Sequence, residues 1–207
     1  MSDRACLCLW HALLELKSYL RVAFNSLCAY ASVNHLHWHL YYLRWRMLLE
    51  YIDLEEYAGP IEILRDYPAK GFCIKYSNVQ NMDDFVNLAF LIIDYLQNKQ
   101  IAHNIYITRG KSNIKENYEE YRDVRIYIWA RNSIQGAKDI HALHPAACEL
   151  FGHLPIKSKE TYVNITEEYV IRVLREATEE TFYSAVAEIK ALVESRKNTA
   201  AAQKQTV

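Results

Sequence analysis

The sequence predicts an α+β fold with a mainly antiparallel sheet and flanking helices. Its clearest helix is "DDFVNLAFLIIDYLQNKQ", where apolar residues recur at helical spacing from Phe85 to Leu96 behind a polar start at Asn81. Its clearest strands are "HNIYITRG" and "DVRIYIWARN", which alternate apolar and polar residues on either side of the loop "KSNIKENYEEY". Strands and helices mix without a regular β-α-β alternation, which favours antiparallel pairing.

The first third of the chain predicts one helix followed by two strands. Apolar residues at mixed helical spacing indicate an amphipathic helix over residues 9–20. "RVAF" at 21–24 is typical of a short strand, and "NSLC" at 25–28 of a turn. Residues 30–43 are rich in aromatic and aliphatic side chains and predict a second, long strand.

The remaining elements follow from turn and cap signals. "YAGPIEILRDYPAKG" holds two of the four prolines and predicts a loop with one short extended piece, leading into the strand "FCIKYS". Thr166 and Thr178 are candidate caps for two closing helices. The chain is therefore divided into an N-terminal helix at 1–20, a main domain at 21–195 and a disordered tail at 196–207.

Composition excludes several classes of function. The chain has 207 residues and a formal net charge of -1, so it lacks the basic surface expected of a nucleic-acid-binding protein. No apolar run approaches the roughly 18 residues of a membrane span. The five cysteines are an odd number and lack a repeated C-x-x-C spacing, which argues against a disulfide framework and favours the cytoplasm.

The segment "NHLHWHL" carries three histidines at alternate positions, His35, His37 and His39. On an extended strand their imidazoles would share one face at about 7 Å intervals. Three readings are open: a solvated edge strand, a metal site and a site of nucleophilic catalysis at phosphorus. Alternate histidines can bind zinc, although no carboxylate lies within the segment to complete a shell. An imidazole can instead attack phosphorus while its neighbours bind the phosphoryl oxygens.

Small polar residues surround the histidines and favour the phosphorus reading. Asn25 and Ser26 lie in the preceding turn, and Ser32 lies three residues before His35. These residue types bind phosphate groups, although each alone is more often a turn former.

Four blocks of this sequence together resemble a known family. "RVAFNSLCAYASVNHLHWHLYYL", "IAHNIYITRG", "VRIYIWAR" and "HPAACELFGHLPI" resemble, in this order, the GDP-D-glucose phosphorylase family of GDP-hexose phosphorylases. The first block also resembles the signature of the histidine-triad superfamily, to which that family belongs. The resemblance covers roughly residues 18–195 and implies a histidine-triad-like fold.

The resemblance implies a role for each polar residue of the first block. His37, the central histidine, would be the nucleophile. The residues that would bind phosphate or nucleotide are His35, His39 and Ser32, together with Asn25 and Ser26 of the polar turn. A neutral His37 would attack the α-phosphorus of GDP-D-glucose and release glucose 1-phosphate, and inorganic phosphate would then release GDP. Its other ring nitrogen would have to donate to a fixed acceptor, such as a backbone carbonyl. The implied partners are a GDP-hexose and phosphate, with neither metal nor cofactor.

Some parts of the chain depart from the family pattern. Ala23 and Cys28 stand where the family usually has glycine, and "RWRMLLEYIDLEEY" has little likeness to the family connection. Only about twenty unrelated residues are expected before Arg21, in place of a substantial N-terminal half. We therefore expect a chain corresponding to the C-terminal part of the family, with impaired turnover and a tendency to form homo-oligomers. A metal-binding strand protein and a non-catalytic truncated isoform are the alternatives.

Overall fold

The computed structural model describes residues 20–31, 33–111, 123–134, 139 and 141–204, with side chains described as far as residue 196. It confirms an α+β fold in which helices pack on an antiparallel sheet. The predicted helix at 9–20 lies outside the described residues, except that Leu20 is the first residue of a strand. The assignment to the histidine-triad superfamily stays a prediction.

The described part of the chain contains seven strands and four α-helices. The strands are β1 Leu20–Asn25, β2 His39–Tyr42, β3 Glu55–Ala58, β4 Ile61–Ile63, β5 Phe72–Lys75, β6 Ala102–Gly110 and β7 Asp123–Arg131. The helices are α1 Met82–Asn98, α2 Ala147–Leu150, α3 Lys159–Asn164 and α4 Glu167–Lys204, and short 3-10 turns lie at Leu48–Glu50 and Tyr76–Asn78.

All seven strands form one sheet in the order β2-β1-β6-β7-β5-β4-β3. Every neighbouring pair is antiparallel. One face carries an aliphatic cluster that includes Ile105 and Ile128 and packs on α1 and the later part of α4. The other face carries an aromatic cluster that includes Tyr106 and Phe151 and packs on α2. Because successive side chains of a strand point to opposite faces, alternate residues of β1 and β6 belong to the aliphatic layer and the others to the aromatic layer.

Helix α1 begins where the sequence predicts. The Asn81 side chain accepts a hydrogen bond from the Asp84 backbone N–H at 2.9 Å, and Asp83 and Asp84 lie in the first turn, where the helix dipole favours negative charge. Phe85 and Ile92 of its apolar face are fully buried. The predicted pair "HNIYITRG" and "DVRIYIWARN" is also confirmed as β6 and β7, which pair along nine residues each.

The predicted long strand at 30–43 is wrong, because only His39–Tyr42 is strand. Residues 28–29 do not turn back along β1. Instead, Ala29 bridges Ile134 just beyond β7, and the Ile134 N–H donates to the Cys28 carbonyl at 2.8 Å. Cys28 and Tyr30 both adopt positive φ. The chain therefore crosses the end of the sheet first and pairs His39 with Ala23 only on its return.

The segment "YAGPIEI", predicted to be mainly loop, is a two-stranded hairpin. Ala58 pairs with Ile61, so Gly59 and Pro60 form a two-residue turn. Gly59 has a φ of 59°, as the first central position of a type II′ turn requires, and proline fits the second position. The glycine and proline are here a hairpin signal rather than a loop signal.

The two predicted closing helices are one continuous helix, α4. Thr166 does cap it, since its hydroxyl accepts from the Tyr169 N–H at 3.3 Å. Thr178 is not a cap but a fully buried residue in the middle of the helix. No glycine or proline interrupts residues 167–204, which therefore contain no helix breaker. The helix includes residues 196–204 of the predicted disordered tail.

Thr178→Val is expected to lower the free energy of unfolding by ~1.5 kcal/mol, because a buried donor would lose its partner. The Thr178 hydroxyl accepts from the Lys70 backbone N–H at 2.9 Å and donates to the Leu174 carbonyl at 3.2 Å. Urea unfolding measures the loss. Ser184→Ala is the matched control, because its exposed hydroxyl bonds only within the same helix. Equal stability of the Thr178→Val variant and the wild type would show that this bond adds nothing.

Candidate functional site

The three histidines of the "HLHWH" segment lie side by side although most of the segment is not a strand. His35 lies in an exposed bend, and His37 and His39 are half-buried. The ring centroids of His35 and His37 are 5.7 Å apart, and those of His37 and His39 are 4.9 Å apart. The structure thus brings together the histidines that the sequence predicts to act together.

His37 has one ring nitrogen held by the backbone. Its Nδ1 lies 3.2 Å from the His35 carbonyl oxygen, which can only accept a hydrogen bond, so Nδ1 carries the proton. When the ring is neutral, Nε2 then carries the lone pair. This atom is shielded from solvent and has no hydrogen-bond partner among the described residues. The backbone carbonyl acceptor expected from the sequence is present.

His39 is oriented by an asparagine hub in β1. The Asn25 side-chain oxygen accepts from the Ala147 backbone N–H at 2.9 Å and from Asn104 Nδ2 at 2.6 Å. A backbone N–H can only donate, so this contact determines which end of the Asn25 amide is oxygen. Asn25 Nδ2 therefore faces His39 Nε2, at 3.4 Å. That nitrogen must accept, and the proton of a neutral His39 lies on Nδ1.

Asn104 and Arg131 extend this hub into the sheet. Asn104 lies opposite Asn25 in the β1–β6 register and is fully buried. The Arg131 guanidinium donates to Asn104 Oδ1 at 3.4 Å and to the Pro145 carbonyl. Its carbon lies 5.1 Å from the centre of the Tyr30 ring. Burial lowers the pKa of Arg131 to about 10, so the side chain remains charged at neutral pH and makes this end of the site positive.

The other predicted phosphate-binding residues lie differently. The Ser26 hydroxyl accepts from the His103 backbone N–H at 2.8 Å and donates to the Leu27 carbonyl at 3.1 Å. The first interaction fastens the turn after β1 to the start of β6, and the second lies within the turn. The assignment of Ser26 to phosphate stays a prediction. Ser32 lies outside the described residues.

An aromatic and acidic wall from "HPAACELFGHLPI" closes the site beside His39. Tyr41 stacks along the strand from His39, with ring centroids 6.2 Å apart, and meets Phe151 edge-on at 5.3 Å. Burial raises the pKa of the Tyr41 phenol well above its usual range. Glu149 Oε2 accepts from the Cys148 thiol at 2.9 Å and from the Ala146 N–H at 2.8 Å.

Sequence reasoning missed Asn104, Tyr41 and Glu149 as members of this site. Each lies within a block that resembles the family, so membership of these blocks was the feature of the sequence that could have identified them. The described residues contain no group of three or more histidine, cysteine, aspartate or glutamate side chains placed to hold a metal ion. In the same part of the chain, no helix is long and apolar enough to cross a membrane.

Family models and curated relatives agree on one family. The model described as "GDPGP1-like, C-terminal domain" matches residues 53–196, and "GDPGP1-like, N-terminal domain" matches residues 1–41. The first twenty residues, expected to be unrelated to the family, and the three histidines fall within the second match. The segment "RWRMLLEYIDLEEY" at 44–57, which has little likeness to the family connection, begins between the two matches and ends within the C-terminal one.

The chain is 38% identical to GDP-D-glucose phosphorylase 1 of Xenopus laevis over 157 residues, covering 74% of this chain and 39% of the relative. It is 37% identical to the Homo sapiens protein of the same name over 168 residues, covering 79% of this chain and 44% of the relative. It is 30% identical to GDP-L-galactose phosphorylase 2 of Arabidopsis thaliana over 166 residues, covering 77% of this chain and 37% of the relative.

No solved structure matches the chain significantly. The chain spans less than half the length of these relatives. Because the C-terminal family model alone covers residues 53–196, which is more than half of the sequence, this chain belongs to the GDPGP1-like family.

Proposed function

We propose that this chain is a nucleotidyltransferase of the histidine-triad type that carries out phosphorolysis of a GDP-hexose, with GDP-D-glucose as the substrate. The names of the relatives support a GDP-hexose as the substrate class. The observation that carries the proposal is the geometry of His37, whose Nδ1 lies 3.2 Å from the His35 carbonyl oxygen while its buried Nε2 has no hydrogen-bond partner among the described residues. A neutral imidazole held in this tautomer is an effective nucleophile toward phosphorus.

The reaction has two displacements. In the first, His37 Nε2 forms a bond to the α-phosphorus, the bond from that phosphorus to the bridging oxygen breaks, and glucose 1-phosphate leaves with the electron pair. In the second, an oxygen of inorganic phosphate attacks the guanylyl-histidine, the phosphorus–nitrogen bond breaks, and GDP leaves. His37 returns to its neutral form, and the atoms balance without a metal or a cofactor.

The surrounding groups stabilise charge on the phosphoryl oxygens. His39 is assigned to one of these oxygens because its ring lies 4.9 Å from that of His37, and the buried Arg131 adds positive potential through the Asn104–Asn25 hub. His35 and Ser32 are assigned to the same phosphates. Residues 33–36 are all exposed, so this bend can move aside to admit the substrate to His37 with little loss of packing.

We place the protein in the cytoplasm because of its cysteine usage, and we expect neither nucleic acid nor a membrane as a partner. A second copy of the chain is the expected macromolecular partner. In β2, an edge strand of the sheet, Leu40 and Tyr42 are 55% and 69% exposed, and an open apolar edge favours self-association.

Product analysis tests the proposed reaction. The chain is incubated with GDP-D-glucose and isotopically labelled inorganic phosphate, and the products are separated by ion-exchange chromatography. We expect glucose 1-phosphate without label and GDP that carries the label in its β-phosphate. GMP in place of GDP would mean hydrolysis, and labelled glucose 1-phosphate would mean attack at the sugar carbon. Either result would contradict the proposed chemistry.

A further inference from the structure

A cavity of about 550 Å³ opens beside the histidine segment, on the side of the sheet that faces helix α1. It is bounded by the turn after β1, by residues 33–36, and by the junction between α1 and β6. His35 lines it, and the His35 ring lies 5.7 Å from that of His37. The cavity thus reaches the histidine segment at His35, from the face of the sheet opposite to that of Asn25 and His39, and a molecule held in it would approach His37 past the end of the sheet.

One wall of the cavity is formed by a buried histidine that the proposed reaction does not use. His103 is 2% exposed, and its Nδ1 lies 3.2 Å from the Ile101 carbonyl oxygen, which places the proton on Nδ1. Its Nε2 is buried without a hydrogen-bond partner among the described residues. A buried acceptor without a partner is costly, so its presence indicates a group that is satisfied by a ligand.

The orientation of His103 is set before any ligand binds. Its backbone is clamped to Ser26 in both directions, by an N–H donated to the Ser26 hydroxyl at 2.8 Å and a carbonyl that accepts the Ser26 N–H at 3.0 Å. The Phe24 ring lies 6.3 Å from the imidazole. Burial lowers the pKa of His103, which keeps the ring neutral and Nε2 an acceptor.

Backbone strain at the same wall is a second, independent sign of a ligand. Gln100 has a φ of 57° at the end of α1, a left-handed conformation in which glycine is usual. The Ile101 N–H donates to the Leu96 carbonyl at 2.8 Å and the Gln100 N–H to the Gln97 carbonyl at 3.0 Å, the paired bonds of a Schellman motif. Gln100 and Gln97 both line the cavity. Gln100 is an exposed residue in the cavity lining and keeps a side chain at a position where glycine would relieve the strain, which indicates a functional reason for that side chain.

The lining selects the chemical class of the ligand. The described lining residues include apolar walls at Phe24, Leu36 and Ile101, and none of them carries a formal charge. Apolar walls with a few hydrogen-bonding groups suit a flat, neutral ring better than a phosphate or a hexose with hydroxyls on every side. Guanine has two adjacent donors, N1–H and the 2-amino group, beside the acceptor O6. An imidazole acceptor with flanking amides complements that edge.

We propose that this cavity binds the guanine base of the substrate and that His103 Nε2 accepts a hydrogen bond from the guanine N1–H and 2-amino edge, with Gln100 as a second base contact. The inference rests on the proposed function for the identity of the nucleotide. It makes His103 the residue that determines base specificity.

Binding is measured by titration calorimetry in the whole chain carrying His37→Ala, so that no covalent transfer contributes. GDP is expected to bind at least tenfold more tightly than ADP, and IDP, which lacks the 2-amino group, is expected to lie between them. His103→Phe keeps a flat ring but removes the acceptor, and it should weaken GDP binding about tenfold while ADP binding changes little. The unliganded His103→Phe chain should remain folded, because the loss of the Nδ1–H bond to the Ile101 carbonyl is offset by the removal of a buried acceptor without a partner.

Gln100→Gly supplies the second variant and separates stability from binding. We expect an equal or higher melting temperature, because glycine relieves the left-handed strain, together with weaker GDP binding. Lys99→Ala is the control, because this exposed neighbour pairs with Glu188 and does not line the cavity. It should leave GDP binding unchanged.

Three results would overturn the proposal: absence of GDP binding, equal affinities for GDP and ADP, or GDP affinity unaffected by both His103→Phe and Gln100→Gly. Guanine-selective binding by a chain whose wild-type form transfers no guanylate would instead contradict the proposed function alone. Guanylyl transfer that does not depend on His103 or Gln100 would contradict the base site alone.

Discussion

His37→Ala is expected to reduce guanylyl transfer on the order of 10⁴-fold or more, because the variant lacks the nitrogen that forms the covalent intermediate. His37 is half-buried and outside the strands, so the variant should unfold at the same temperature as the wild type. Steady-state phosphorolysis of GDP-D-glucose measures the loss. The decrease should fall on kcat, since substrate binding depends mainly on other groups.

His141→Ala is the matched control for the loss of an imidazole. His141 is exposed, and its backbone N–H and carbonyl make hydrogen bonds to the Asp139 carboxylate and the Thr161 hydroxyl. This variant should retain wild-type kcat. A His37→Ala enzyme within tenfold of the wild type would show that another residue, or water, attacks the phosphorus.

Asn25→Ala is expected to reduce transfer about 100-fold at every pH, through loss of the group that orients His39. Asn25 Nδ2 lies 3.4 Å from His39 Nε2, and the Asn25 oxygen joins Asn104 to Ala147. A misplacement of about 1 Å in a group that contacts the phosphate can cost ~100-fold in rate. The variant should also be less stable, because two buried donors lose their acceptor.

Asn25→Asp separates the orientation of His39 from the stability of the fold. The carboxylate still accepts from Asn104 and Ala147, but it presents an acceptor to His39 where the amide presented a donor. We therefore expect a stability close to that of the wild type together with a loss of transfer, whereas Asn25→Ala loses both. Transfer at the wild-type rate by Asn25→Asp would show that Asn25 has a structural role only.

Local patterns predicted the fold where neighbours along the chain decide the conformation. The periodicity of α1 and the alternation of β6 and β7 each lie within one continuous segment, and both predictions are confirmed. The strand at 30–43 failed because the contact that diverts it, between Ala29 and Ile134, joins residues more than a hundred positions apart. The prediction that a new helix begins at Thr178 is wrong, because the Thr178 hydroxyl does not cap a helix but accepts a hydrogen bond from the Lys70 backbone N–H in another segment.

The site was predictable to the same extent. The spacing of the three histidines and the polar turn at Asn25 are local features, and the structure brings them together. Asn104 enters the site only through its register with Asn25. Arg131 enters it only through the pairing of β6 with β7. Those contacts depend on strand pairing, which the spacing of residues in one segment does not encode.

Mass spectrometry of the covalent intermediate is the most direct test of the central claim that His37 Nε2 attacks the α-phosphorus. The whole chain is incubated with GDP-D-glucose in the absence of phosphate, digested at alkaline pH to preserve a phosphoramidate, and analysed for a peptide that carries guanylate. We predict one guanylate on His37, which inorganic phosphate discharges as GDP. A guanylate on His35, on His39 or on any other residue, or turnover with no covalent species at all, would contradict the account.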